Sequence, residues 1–103
     1  MTKPVTVDAE AAEELADAAR WYGRRRPGLG RDLIAAVRRA FATISENPHA
    51  FALVADVRPD LGVRRFPLQR FPFAIIYLEL ESELRVLAVA HGSREPGYWR
   101  RRV

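Results

Sequence analysis

Apolar residues recur at two different spacings along this chain, and each spacing predicts a different type of element. In the first half they recur at intervals of three and four residues, which is the helical period. Val5 and Val7, just before this region, alternate with polar neighbours as in a short strand. In the second half, nearly continuous apolar runs predict strands buried on much of both faces. These runs are Val63–Leu68, Phe73–Leu80 and Leu84–Ala90.

The helical region divides into two helices. The first is predicted over about residues 9–25, with Asp8 at its N-cap position. Pro27-Gly28 ends this helix, and a second is predicted over about residues 29–46, before Asn47-Pro48. Because the break between them is so short, the two helices should form an antiparallel hairpin.

The remaining sequence predicts how the sheet is completed. Residues 48–61 are irregular and polar, which indicates a connecting loop. Pro67 weakens its strand, so that strand is expected to have a neighbour on only one side at this point. The predicted order is β-α-α-β-β-β: an α+β fold in which an N-terminal strand and a helical hairpin pack with a small, mostly antiparallel sheet. At 103 residues, the chain is expected to form a single domain over residues 1–103.

The composition excludes several kinds of binding site and of targeting segment. The chain has no cysteine, which excludes disulfides and thiolate metal sites. No partner lies at metal-ligand spacing from His91, and His49 lies in an unrelated loop, so we expect no metal; no cofactor is expected either. No apolar stretch approaches the roughly 20 residues of a membrane-spanning helix. Five carboxylates in residues 8–17 also rule out a signal-peptide core, and a cytoplasmic protein without membrane contact is expected.

The distribution of charge predicts an acidic partner. The formal net charge is +4, but residues 20–39 hold seven arginines against the single acid Asp32. Guanidinium groups suit bidentate contacts with carboxylates and phosphates, so the partner should be nucleic acid or an acidic protein segment. The predicted partner-binding residues are Arg24, Arg25, Arg26, Arg38, Arg65, Arg94, Trp99 and Arg100.

Candidate chemistry lies at the end of the last strand. His91 could act as a general acid or base, or it could only cap backbone groups. Arg94 could stabilise a phosphate, or pair with Glu95. Trp99 could stack on a nucleic acid, or pack back on the sheet.

Two arginines on the first strand of the second half add to this set. Arg64 and Arg65 are adjacent, so their side chains should point to opposite faces of the sheet. One of them is expected either to meet a carboxylate or to line a concave face open to an anionic ligand. The alternative is that both are solvated charges on an exposed strand.

The element order and three segments together resemble the RelE/ParE family of bacterial toxins. The segments are Val63–Leu68, Phe71–Tyr77 and Leu84–Trp99. The resemblance implies the toxin of a type II toxin–antitoxin module, held in a hetero-oligomer by a cognate antitoxin. RelE-like members cut messenger RNA in the ribosome without a metal, whereas ParE-like members block DNA gyrase.

The details of the last segment bear on which branch applies. For a nuclease, the resemblance implies catalytic roles for Arg64 or Arg65 and for Arg94, with His91 or Tyr98 moving protons. Ser93, however, stands where RelE-like members often carry a basic residue, and the only lysine is Lys3. The segment is therefore more similar to the ParE-like branch.

Three functions follow as hypotheses. The first is a toxin that binds DNA gyrase without acting as an enzyme. The alternative is a ribosome-dependent, metal-independent endoribonuclease. A plain nucleic-acid-binding module is a third class, and it predicts salt-sensitive binding without toxicity.

Overall fold

Both predicted helices form with the predicted bounds. The computed structural model describes residues 2–55 and 57–103, and in it α1 spans Ala9–Arg25 and α2 spans Leu29–Glu46. Gly28 separates them with a left-handed backbone (φ 87°), a conformation that glycine adopts without strain. Asp8 occupies the N-cap position of α1, but its side chain makes no capping hydrogen bond.

The two helices approach each other closely at Gly30. A Cβ atom at this position would lie 2.3 Å from the carbonyl oxygen of Ala19, so only glycine allows this contact. The inner face of α2 is fully buried at Leu33 and Val37. In neither described range is there a helix of sufficient length and hydrophobicity to cross a membrane.

The strands form one five-stranded mixed sheet. They are β1 (Val5–Val7), β2 (Ala52–Leu53), β3 (Arg64–Pro67), β4 (Phe73–Glu79) and β5 (Leu84–His91). Their order in the sheet is β1-β5-β4-β3-β2. β1 pairs with β5 in parallel, and every other pairing is antiparallel. The predicted α+β class, with a helical hairpin on a mostly antiparallel sheet, is confirmed.

The prediction for residues 48–61 is wrong in one respect. This stretch is not only a loop, because Ala52 and Leu53 form β2 and pair with Arg65 and Arg64. A two-residue strand is too short to leave an alternating pattern in the sequence. The prediction for Pro67 is confirmed: it pairs with Ala74 of β4, and β2 does not extend to it.

The sheet is buried on both faces, as the apolar runs predict. Phe73, Ile75 and Tyr77 of β4 face the helices, while Ala74 and Ile76 belong to a second apolar cluster on the opposite face. That opposite face is covered by the loop before β3 and by the C-terminal segment, through Val57, Leu61, Trp99 and Val103. The candidate site lies on this opposite face, near the end of β5.

Candidate partner-binding site

A shallow groove of about 180 Å³ lies on the sheet face that the helices do not cover. Its lining includes three apolar side chains of β4 and β5, those of Ala74, Ile76 and Ala90. Val54 lies on one side and the segment Pro96–Trp99 on the other. We call this cavity the sheet-face groove.

The sheet-face groove is lined by two of the predicted arginines. Arg65 lies on β3 opposite Ile76, and Arg94 follows the end of β5. Both residues are exposed. Across residues 2–55 and 57–103, neither has a carboxylate within ion-pair distance, so Arg94 does not form the predicted alternative pair with Glu95. Two cationic side chains at one apolar groove form a suitable site for an anionic ligand.

Arg64 is the neighbour of Arg65, but its side chain is engaged on the other face. Its Nη1 donates hydrogen bonds to the carbonyl oxygens of His49 (3.2 Å) and Phe51 (2.7 Å). The prediction that the two side chains point to opposite faces is confirmed. Arg64 meets backbone carbonyls rather than a carboxylate, and Arg65 lines the open groove.

One ring nitrogen of His91 is hydrogen-bonded within the turn that follows β5. Its Nδ1 accepts a hydrogen bond from the backbone N–H of Ser93 at 2.9 Å, and the Ser93 hydroxyl lies 2.7 Å from the same atom. Because a backbone N–H can only donate, Nδ1 must be unprotonated, and the neutral ring then carries its proton on Nε2.

Tyr98 is held by a carboxylate. Its hydroxyl donates to Glu14 of α1, and the guanidinium carbon of Arg94 lies 3.9 Å from the centre of its ring. Burial and the bond to Glu14 raise the pKa of the Tyr98 hydroxyl well above its usual value. The phenol therefore stays protonated, and its ring positions Arg94 through a cation–π contact.

Glu14 is the centre of a cluster that sequence reasoning missed. Besides Tyr98, it accepts hydrogen bonds from the backbone N–H of Val89 (3.1 Å) and from Arg102 Nη1 and Nη2 (3.0 and 3.2 Å). Arg102 also donates to the carbonyl of Leu87 at 2.9 Å. We call Glu14, Tyr98 and Arg102 the C-terminal clasp, because they fasten the end of the chain to α1 and β5. The excess of carboxylates in residues 8–17 was the only signal of it.

The other predicted contact residues lie apart from this groove or are buried. Trp99 is only 3% exposed and packs on the sheet, so its ring offers almost no surface to a partner. Arg100 is exposed on the C-terminal turn. The four helical arginines, Arg24, Arg25, Arg26 and Arg38, are exposed on or beside the hairpin and do not line the groove.

A second groove, also missed, lies on the helix side of the same turn. It has a volume of about 330 Å³ and is lined by Trp21, Tyr22, Phe73, His91 and Arg94 among others. Trp21 is 45% exposed, and the Arg25 guanidinium carbon lies 4.2 Å from the centre of its ring. Trp21 lies outside the apolar stripe of α1, and this position in the sequence could have indicated that its ring is exposed. His91 and Arg94 therefore form a ridge between two grooves.

Comparison with known families identifies the fold. A profile for the family described as "ParE toxin of type II toxin-antitoxin system, parDE" matches residues 5–96. This chain belongs to the ParE toxin family. The match runs from β1 through the turn after β5, so it includes Arg65, His91 and Arg94 but ends before Tyr98 and Arg102. The resemblance to the RelE/ParE toxins is confirmed, on the ParE side.

A solved structure agrees with this family assignment. A chain from the structure titled "Chromosomal ParDE TA system from P. aeruginosa" is similar with a TM-score of 0.73 and 18% sequence identity. The similarity covers 87% of the present chain and 96% of that chain, and at this identity it shows the fold alone. A comparison with curated proteins gives no match. The ParE family member described here is thus a type II toxin by family, on the fold expected for one.

Proposed function

We propose that this ParE family member arrests growth in the cytoplasm by binding a large target, DNA gyrase, and that a cognate antitoxin neutralises it in a hetero-oligomer. The observation that carries the binding mechanism is the engagement of both candidate proton carriers. His91 accepts a hydrogen bond at Nδ1, and the Tyr98 hydroxyl donates a hydrogen bond to Glu14. General acid–base catalysis needs a group that can take up or release a proton near neutral pH, and the raised pKa of the Tyr98 hydroxyl keeps it from releasing its proton there.

The arginines of the sheet-face groove are the proposed contacts with the target. Arg65 and Arg94 present positive charge beside an apolar floor, and interfaces of this kind are often dominated by a few such residues. The nuclease alternative has one point in its favour: the same two arginines could hold a scissile phosphate. The two functions therefore share the groove and differ in whether a proton must move.

Tyr98→Phe tests whether growth arrest needs the Tyr98 hydroxyl as a proton carrier. The variant keeps the ring that stacks on Arg94 and removes only the hydroxyl, so a binding toxin should retain growth arrest after induction. Arg94→Ala should abolish arrest in either case, and Arg101→Ala, an exposed arginine outside the groove, serves as the matched control. Thermal unfolding of each purified variant checks that the fold is intact.

Two measurements on the wild-type protein then identify the target. Gyrase supercoiling of a relaxed plasmid should be inhibited by the purified protein, and the inhibition should be reversed by the product of the adjacent reading frame. Messenger RNA mapped after induction should be intact at ribosomal A sites. Cleavage at A sites with normal supercoiling would establish the nuclease instead.

A further inference from the structure

The outer face of the helical hairpin carries a concentration of positive charge separate from both grooves. Leu33 and Val37 lie on the buried face of α2. Arg31 and Arg38 lie about half a turn away from them, on its exposed face. Arg39 is exposed beside Arg38, and two more exposed arginines lie in the last turn of α1 and directly after it. We call these five residues the arginine patch: Arg24, Arg26, Arg31, Arg38 and Arg39.

Most of the nearby carboxylates are already engaged elsewhere. On α1, Asp17 pairs with Arg20, while Glu10 and Glu14 pair with Arg102. On α2, Asp32 pairs with Arg70. For the arginine patch itself, no ion pair exists with any residue of the two described ranges. The patch is therefore a local excess of positive charge that attracts polyanions.

The chemistry of the arginine patch favours nucleic acid over an acidic protein. Specific protein interfaces usually place large apolar or aromatic anchors at their centre. The exposed large apolar residues of the described chain are Val7, Trp21 and Leu53, and none belongs to the outer face of α2. Beside its arginines that face carries the alanines Ala35 and Ala42, which offer no large apolar anchor. Binding to a phosphate backbone needs only such charges.

We propose that the arginine patch binds the phosphate backbone of double-stranded DNA without reading its sequence. Arg31 and Arg38 are seven residues apart on one helix, which places them roughly 10 Å apart along the axis at a rise of 1.5 Å per residue. This separation is close to the width of the major groove, about 12 Å, so the two side chains reach phosphates on both of its edges. The inference does not depend on the proposed function, because it concerns the face of the molecule opposite the sheet-face groove.

The test compares two variants of equal net charge. Arg38→Gln/Arg39→Gln removes two charges from the arginine patch, and Arg58→Gln/Arg101→Gln removes two exposed charges elsewhere. Fluorescence anisotropy with a labelled 20-base-pair duplex of mixed sequence measures the affinity of the full-length protein from low to moderate salt. Wild type should bind with a strong salt dependence. The patch variant should bind at least tenfold more weakly, and its slope of log K against log salt should be smaller by about 2, since each lost phosphate contact removes about 0.9.

Each other outcome overturns the proposal. Equal weakening in the two variants would mean that net charge alone, and not this surface, attracts DNA. Absence of salt-dependent binding by wild type would exclude a phosphate site. Binding of a poly-glutamate peptide as tightly as the duplex would assign the patch to an acidic protein. The assay uses purified protein without gyrase or antitoxin, so it is distinct from the growth-arrest test of the proposed function.

Discussion

The two faces of the sheet both carry arginines, but the guanidinium groups differ in what they contact. On the helix face, Arg64 of β3 donates to two carbonyls of the segment that precedes β2. On the opposite face, Arg65 of the same strand lines the sheet-face groove. The same contrast recurs after β5, where Arg102 is held by Glu14 and Arg94 lies over the ring of Tyr98 without an ion pair to any residue of 2–55 or 57–103.

This contrast separates two roles that one residue type can play. An arginine whose donors are all directed at fixed carbonyls or carboxylates stabilises the fold, and removing it leaves partly buried acceptors without partners. An arginine at the edge of a groove contributes little to folding and keeps its donors for a ligand. The two kinds of arginine should therefore differ in how much their removal lowers the unfolding free energy.

The largest effect is expected from breaking the C-terminal clasp. Glu14→Ala leaves the Tyr98 hydroxyl and the Val89 N–H without their acceptor, and it leaves the Arg102 guanidinium with only Glu10 and the carbonyl of Leu87. The Arg102 side chain is only 12% exposed, so the cost should be near the lower end for breaking a buried ion pair, about 3 kcal/mol of unfolding free energy. Urea denaturation monitored by circular dichroism measures it.

Glu13→Ala is the matched control for the clasp. Glu13 is the exposed neighbour of Glu14 on α1, and its removal should change the unfolding free energy by less than about 0.5 kcal/mol. If both variants lose the same amount, the effect comes from the charge of α1, and the clasp does not stabilise the protein.

The second effect is a loss of stability at alkaline pH. Burial raises the pKa of Tyr77 to about 12, from a value of about 10 in an unfolded chain. Above pH 10 the unfolded state therefore releases this proton while the folded state keeps it, and the free energy of unfolding falls as pH rises. Between pH 10 and 12 the loss from Tyr77 should be about 2 kcal/mol.

Tyrosine variants identify the source of the alkaline effect. Tyr77 lies on the same face as Arg64, and its hydroxyl donates to the carbonyl of Pro48 at 2.7 Å. Tyr77→Phe should make the decline in stability shallower, and the double variant with Tyr98→Phe should remove most of it. A decline of unchanged steepness in the double variant would place the titrating groups elsewhere.

Local pattern was enough to predict most of this fold. The helical period predicts α1 and α2 with their observed bounds, because each helix needs one continuous apolar face. The apolar runs of β4 and β5 predict strands covered on both sides. β2 could not be predicted in this way, because its two residues form a strand only through their pairing with β3, and no short stretch of sequence encodes that pairing.

The candidate site was only partly predictable for the same reason. That Arg64 and Arg65 face opposite sides follows from the geometry of a strand, but which one is engaged depends on where residues 48–51 lie. The clasp joins Glu14 to Arg102 across 88 positions of sequence, and such a pair has no local signature. Trp99, predicted as a partner contact, is instead part of the cover of the sheet.

The smallest expected change in unfolding free energy comes from the neighbouring residues Arg64 and Arg65. Because they lie on opposite faces of the same strand, they test the difference between the two faces most directly. Arg64→Met keeps the apolar part of the side chain and removes the donors to the carbonyls of His49 and Phe51, so the unfolding free energy should fall by about 1.5 kcal/mol. Arg65→Met should leave it within about 0.5 kcal/mol of wild type, since Arg65 donates no hydrogen bond to any residue in 2–55 or 57–103. Urea denaturation of both variants under identical conditions gives the difference directly. Equal losses would show that Arg65 stabilises the fold as much as Arg64 does, and the groove would then lose one of the two cations proposed to contact the target.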